Sequence, residues 1–340
     1  MSLFLDNGFV NMPRLFASRL PFIFVVGGRG TGKTYGALEY VRKQALDGKK
    51  FIYMRRTQDQ VDKISQDDFS PFKSVDELTG TITTVQKMAG KTFSFIDAPS
   101  DKTLGYCFAL STFAKMRGFD ASDVSTLVFD EFIPEKHERP IKNEAEAFFN
   151  AVETINRNRE LAGLPALRMW LLSNANRIDN DIFTGLGIVA DVEKMLKAGK
   201  HHKYYKDRGL AVHIMPPSAD FIEEKSKTAL YKLTKGTRFY DMALNNEFAY
   251  DDFSFVGYEN IAGYVPVCAI DSAYIYQRKN SQRYYVTYSP CKCPHYDSSI
   301  KSDVIAFQRD YGVILHDPFV YGCIKFESYA LKSMLIDLIL

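Results

Sequence analysis

The chain has 340 residues, with 43 Lys and Arg against 41 Asp and Glu and a formal net charge of +2. That balance excludes a polycation, so any nucleic-acid binding has to come from local basic surface, and the length fits about two domains. No apolar run approaches the ~18 residues of a membrane helix, Asp6, Asn7 and Asn11 make the N-terminus a poor signal peptide, and five cysteines, an odd number, fit reduced thiols in a cytosolic setting.

The first predicted element is a buried strand over 22–26, Phe-Ile-Phe-Val-Val. It runs into Gly27, Gly28, Arg29, Gly30, Thr31, Gly32, Lys33 and Thr34, which fit G-x-x-x-x-G-K-[ST]. The glycines let the backbone curl around phosphates with N–H groups turned inward. Lys33 reaches the β- and γ-phosphates, and the Thr34 hydroxyl ligates Mg²⁺. Ala37, Leu38, Val41 and Ala45 then recur at helical spacing, so a helix N-terminus faces the anion. The strand at 51–54 ends in Arg55, Arg56 and Thr57. Either arginine touches phosphate at that edge or both are simply solvated.

Residues 90–96 and 104–109 bracket Pro99, Ser100, Asp101 and Lys102, which predicts a β-hairpin inserted in the core. The strand at 125–129 ends in Asp130 and Glu131, the form of a Walker B element. There Asp130 holds Mg²⁺ and Glu131 activates or orients water. A helix over 143–160 follows from Phe148, Val152 and Ile155. It ends in Asn156, Arg157, Asn158, Arg159 and Glu160. Arginines at a helix C-terminus complement the dipole; alternatively, one reaches a neighbouring subunit as an arginine finger. The strand at 167–172 ends in Ser173, Asn174, Ala175 and Asn176. Asn174 or Asn176 is placed to hydrogen-bond a γ-phosphate oxygen or the attacking water, since ligands gather at the C-terminal ends of parallel strands.

Segment 191–208 carries Lys194, Lys197, Lys200, Lys203, Lys206 and Arg208, with Tyr204 and Tyr205 interleaved. It is a solvated surface or a DNA-tracking patch. Pro216, Pro217 and the polar run at 223–227 mark a linker over 213–248. Its Lys225, Lys227, Lys232, Lys235 and Arg238 are candidates for phosphate contacts in a ring's channel or parts of a charged connector. Alternating stretches at 264–270, 273–276 and 284–288 predict an antiparallel sheet, with a last helix over 328–340. Cys291, Cys293 and His295 lack a fourth ligand and the wider spacing of zinc sites, so they read as turn residues.

Taken in order, GGRGTGKT, FIYMRR, LVFDEFI, NRNRE and LLSNA resemble the DNA-packaging ATPase, or encapsidation protein, of phi29-type bacteriophages, which is related to the terminase large subunit. Pro216, Asp220, Phe221, Lys225, Thr228, Gly236 and Asn246 extend the likeness towards residue 250. The resemblance implies an α/β fold: an additional-strand P-loop NTPase domain over 1–212, the linker over 213–248, and a smaller RNase H-like α+β domain over 249–340. It implies ATP and Mg²⁺ as cofactors. The implied assembly is a homopentameric ring at the portal of a preformed capsid in the host cytoplasm. There it drives double-stranded viral DNA inward, with or without a scaffold RNA and with no membrane. By position, Lys33 and Thr34 bind phosphate and metal, Asp130 holds the metal, Glu131 activates water and Arg157 takes the trans finger's place. Arg29 neutralises phosphate charge, and Arg55 couples neighbours or nucleotide exchange. The last domain is a vestigial nuclease that binds nucleic acid or portal, because Asp271, Asp297 and Asp303 form no committed two-metal pattern. The rival readings are a helicase-like P-loop translocase, a nucleotide-dependent scaffold without turnover, and a small-molecule kinase.

Overall fold

The computed structural model describes residues 3–6, 8–64, 69–88, 90–116, 118–135, 138, 141–157, 159–174, 177–217, 219–237, 239–240, 244 and 253–339. Its contacts divide the chain into two units: 1–186 with 195–250, and 187–194 with 251–340.

The first unit is built on one nine-stranded sheet. Its strands in chain order are β1 (Phe22–Gly27), β2 (Lys50–Arg55), β3 (Thr83–Lys87), β4 (Phe93–Asp97), β5 (Lys102–Ala109), β6 (Val124–Asp130), β7 (Arg168–Ser173), β8 (His202–Tyr205) and β9 (Leu210–Met215). In space they run β3-β4-β5-β2-β6-β7-β1-β9-β8. From β5 to β9 every neighbour is parallel, whereas β4, β3 and β8 are added antiparallel at the two edges. Strand β7 therefore lies between the strand of the phosphate loop and the strand of the two acids, which is the additional-strand arrangement.

Central parallel strands are covered on both faces, so they read as unbroken apolar runs rather than alternations. Ile23, Phe24, Val25 and Val26 of β1 and Trp170, Leu171 and Leu172 of β7 are all fully buried. The covering helices are α1 (Met12–Phe16), α2 (Lys33–Leu46), α3 (Gln58–Ile64), α4 (Lys73–Thr79), α5 (Glu144–Asn156) and α6 (Asp181–Gly185). Helix α2 presents Ala37, Leu38, Val41 and Ala45 to the sheet, as the spacing requires. Next come α7 (Val189–Lys197), which the division of the chain cuts at 194, and α8 (Ala219–Ser226) and α9 (Ala229–Leu233).

Several expectations change. The hairpin at 90–109 exists, but it is no insertion: β5 pairs in parallel with β2 and becomes a strand of the main sheet. Helix α5 stops at Asn156, because Arg157 takes φ +43° and ends the helical backbone. Strand β9 runs through the expected boundary at 212/213, with His213, Ile214 and Met215 paired to β1.

In the second unit, β10 (Tyr264–Ile270), β11 (Ala273–Arg278) and β12 (Tyr284–Thr287) form an antiparallel meander. The short strands β13 (His295–Tyr296) and β14 (Ile324–Phe326) then add in parallel to β10 and β12, so the sheet is mixed. Helix Tyr329–Ile339 contributes Leu331, Leu335 and Ile339 to a core shared with Ile270, Ile275, Val286 and Phe307.

Candidate active site

Strands β1, β6 and β7 end at one edge of the first unit's sheet. Val26 is level with Ser173 and Asp130 with Leu172, so the phosphate loop, the two acids and the Ser173-Asn174 turn emerge together. They surround a cleft of about 530 Å³ lined by residues 29–34, Asp130, Glu131, Ser173 and Asn174, together with Phe9, Tyr35, Ser74 and Leu78.

The loop's shape rests on two glycines. Gly30 has φ +77° and Gly32 φ +79°, backbone that disfavours any side chain. A Cβ on Gly32 would also lie 3.1 Å from the Phe9 ring. Lys33 opens the 14-residue helix α2, whose first N–H groups face the cleft. Its ammonium donates to the carbonyls of Gly27 at 3.0 Å and Gly28 at 2.7 Å and to Thr31 Oγ1 at 3.3 Å. Burial pulls the Lys33 pKa down to about 8, while Asp130 and Glu131 oppose the fall. A polyanion in the loop gives this ammonium better acceptors than two backbone carbonyls.

Asp130 closes β6 and is 4% exposed. Its carboxylate accepts from Thr34 Oγ1 at 3.1 and 3.2 Å and from the Tyr53 hydroxyl at 2.8 Å. A hydroxyl and a carboxylate converging on one spot beside a phosphate loop are hard oxygen donors, the kind Mg²⁺ takes. The residues present therefore fit that metal.

Glu131 leaves the strand with φ +56°, which turns its side chain along the cleft edge. Its carboxylate is ion-paired to Arg55, whose other nitrogen lies 3.4 Å from Asp130. Crowding by protein pushes the Glu131 pKa up, the Arg55 charge pulls it down, and neighbouring Asp130 adds to the rise. The tip still meets solvent, with 44% of the side chain exposed. A carboxylate so placed can accept a proton from water once Arg55 releases it.

The adjacent arginines part company. Arg55 enters the site, but Arg56 is fully buried and grips Glu144 with two nitrogens at 2.6 and 2.8 Å and Glu138 with a third at 2.8 Å. Alternation along β2 separates them. Arg56 thus pins the start of α5 and has no route to phosphate. Arg29 lines the cleft while its guanidinium pairs with Glu135. Arg157 is not among the cleft residues, and it donates to the carbonyls of Phe119 at 2.9 Å and Thr154 at 3.3 Å. Asn174 lines the cleft, and Asn176 lies outside the described residues. Tyr53 escaped the sequence reading, although it shares a strand face with Arg55 two residues on.

Of the basic linker candidates, Lys227 is held by Glu223 and Glu224 at 2.8 Å each and Lys225 lies on the phosphate loop. Arg238 falls outside the described residues. Lys203 and Arg208 sit over the Tyr205 ring. In the second unit, Asp271 accepts from the Ser298 N–H, Asp297 from the Ser299 N–H and Asp303 from the Asp297 N–H. Cys291 and Cys293 sulfurs lie 3.5 Å apart, and among the described residues no three His, Cys, Asp or Glu gather as metal ligands.

Residues 6–265 match the family model described as Podovirus DNA encapsidation protein (Gp16). The chain is 34% identical over 235 residues to the DNA packaging protein of Bacillus phage PZA, covering 68% of this chain and 64% of that relative. Less than two thirds of the relative's length is therefore spanned. The fold is similar to a chain of the bacteriophage Phi-29 viral genome packaging motor assembly, with TM-score 0.70, 26% identity and 97% and 98% of the two chains covered. It is also similar to the N-terminal domain of the DNA packaging ATPase from bacteriophage phi29, with TM-score 0.50, 31% identity, and 65% of this chain and 100% of that one covered.

Proposed function

The chain belongs to the podovirus DNA encapsidation protein family, and from that premise we propose that it is an ATPase that drives double-stranded viral DNA through a portal into a preformed capsid. The observation that carries this reading is the meeting of Lys33, Thr34, Asp130 and Glu131 in one cleft. ATP lays its phosphates on the loop N–H groups and the α2 N-terminus. Lys33 exchanges the Gly27 and Gly28 carbonyls for phosphate oxygens. Thr34 and Asp130 would hold Mg²⁺, which would supply positive charge against that of the phosphates. Glu131, freed from Arg55, takes a proton from water as the water oxygen bonds to the γ-phosphorus. The bond to the bridging oxygen breaks, ADP departs with that electron pair, and the proton passes on to the released phosphate. Asn174 reads the γ-phosphate from the end of β7.

Arg157 acts on a neighbour's cleft, as its place outside its own subunit's cleft lining allows. Its two bonds to backbone carbonyls open when it does so. A ring of copies, five by family likeness, follows from that role. The second unit, whose three aspartates cap backbone N–H groups, serves binding to nucleic acid or portal rather than cleavage. DNA protected from nuclease inside capsids, measured with ATP, duplex DNA and either wild type or Lys33→Ala, tests the proposal. Filling by the wild type and none by the variant is expected. Equal filling by both would overturn the motor reading in favour of a scaffold.

A further inference from the structure

Helix α8 follows the sheet's last parallel strand and carries Lys225 in its final turn. The Lys225 ammonium donates to the Arg29 carbonyl at 3.1 Å, inside the phosphate loop. A Cβ on Gly30 would stand 2.5 Å from that nitrogen, so the ammonium occupies the space this glycine leaves open. Two rings steer it there: Phe221 at 4.8 Å and Tyr231 of α9 at 5.6 Å from its nitrogen. Tyr231 is buried in a small cluster with Leu244, against which Ile222 packs. The α8–α9 segment thus meets the phosphate loop at Lys225, with the Phe221 ring beside it.

The charge balance is uneven. Arg29 has Glu135, and Lys33 feels both Asp130 and Glu131. Among the described residues no carboxylate pairs with Lys225, and burial together with Arg29 lowers its pKa. A lysine held over a phosphate loop by aromatic faces and one carbonyl is short of an anion.

We propose that Lys225 is a phosphate sensor of its own subunit's nucleotide, exchanging the Arg29 carbonyl for terminal phosphate oxygens and so coupling the α8–α9 segment to the nucleotide's phosphate count. This rests on the cleft being an ATP site. The consequence is mechanical. Loss of the γ-phosphate removes the acceptor that draws Lys225 inward, and α8 and α9 respond together because Tyr231 of α9 faces the ammonium carried by α8 and packs with Ile222.

The test is equilibrium binding of a non-hydrolysable ATP analogue and of ADP to the full chain, for wild type, Lys225→Met and Lys225→Arg. Amide exchange over 219–233 is followed in parallel. Loss of a charge-assisted hydrogen bond predicts that Lys225→Met binds the ATP analogue roughly tenfold to a hundredfold more weakly. ADP affinity should change by less than about threefold, and Lys225→Arg should recover most of the loss. In wild type the analogue slows exchange across 219–233 more than ADP does, and Lys225→Met erases that difference. Equal affinities for wild type and Lys225→Met, or equal losses for both nucleotides, would overturn the sensor. If the wild type binds neither nucleotide, the ATP-site reading falls and the sensor with it. Binding by wild type with unaffected variants removes the sensor alone.

Discussion

Asp130 closes β6 in the first unit and Asp271 follows β10 in the second, yet the two units use their aspartates differently. In the first unit, Asp130 and Glu131 meet a hydroxyl, a phenol and an arginine, all groups that can exchange partners around a cleft. In the second, Asp271, Asp297 and Asp303 spend their oxygens on the N–H groups of Ser298, Ser299 and Asp297. A carboxylate that caps backbone shapes a turn. One that faces mobile cations is ready for chemistry. The residue type alone therefore says little until its partners are known.

A large effect belongs to charge delivered from outside the cleft. Arg157→Ala should lower ATP turnover by about 10³-fold, the size of an arginine finger's contribution. Mixing it with Lys33→Ala should restore part of the activity, because the Lys33→Ala copy still offers its arginine to a neighbour with an intact lysine. Additive inactivity in the mixture would place Arg157 in a structural role instead.

Charge used as structure should behave differently from charge used as chemistry. Arg56→Ala strands Glu144 in the interior and should cost about 3–5 kcal/mol of stability, read by chemical unfolding. A loss under about 1 kcal/mol would mean that the buried pair does not pin α5.

The acidity of Lys33 gives a smaller, graded effect. Its folded pKa of about 8 lies below the ordinary 10.5, so the folded chain gives up this proton first. Stability from this group therefore rises with pH between about 8 and about 10.5. Nucleotide binding runs the other way, because phosphate needs the ammonium. Affinity for ATP should fall by up to about tenfold per pH unit above the free-state pKa, and Lys33→Arg should remove that slope. A flat wild-type profile from about pH 7 to about pH 9.5, a window that spans the folded pKa of about 8 and stops short of the ordinary lysine value, would contradict the assignment.

Least should happen in the second unit. Asp271→Asn and Asp303→Asn keep an acceptor for the same N–H groups. They should leave ATP turnover within about twofold and stability within about 1 kcal/mol. Metal-dependent DNA cleavage by the wild type that either variant abolishes would show the caps to be catalytic.

What the sequence showed and hid follows from range. Lys33, Thr34, Asp130 and Glu131 stand in short strings flanked by apolar strands, so local pattern was enough to find them. That β1, β6 and β7 bring polar ends to one edge was legible in the strings at those ends, whereas an additional strand in the core came only with the family resemblance. The division of labour between Arg55 and Arg56 needed the partner Glu144, 88 residues away. Glu135 beside Arg29 and Lys225 on the Arg29 carbonyl are also distant meetings, 106 and 196 residues along the chain. No periodicity announces such contacts. Strand β5 was misjudged because its pattern fits a hairpin and a sheet strand alike, and only the pairing with β2 separates the two.

The most direct test of the account is the rate of phosphate release with duplex DNA and capsids, at saturating ATP, for wild type and Glu131→Gln. Turnover by the wild type, with a fall of about 10²- to 10⁴-fold in the variant while ATP still binds, is the predicted result. Undiminished release by Glu131→Gln would contradict it.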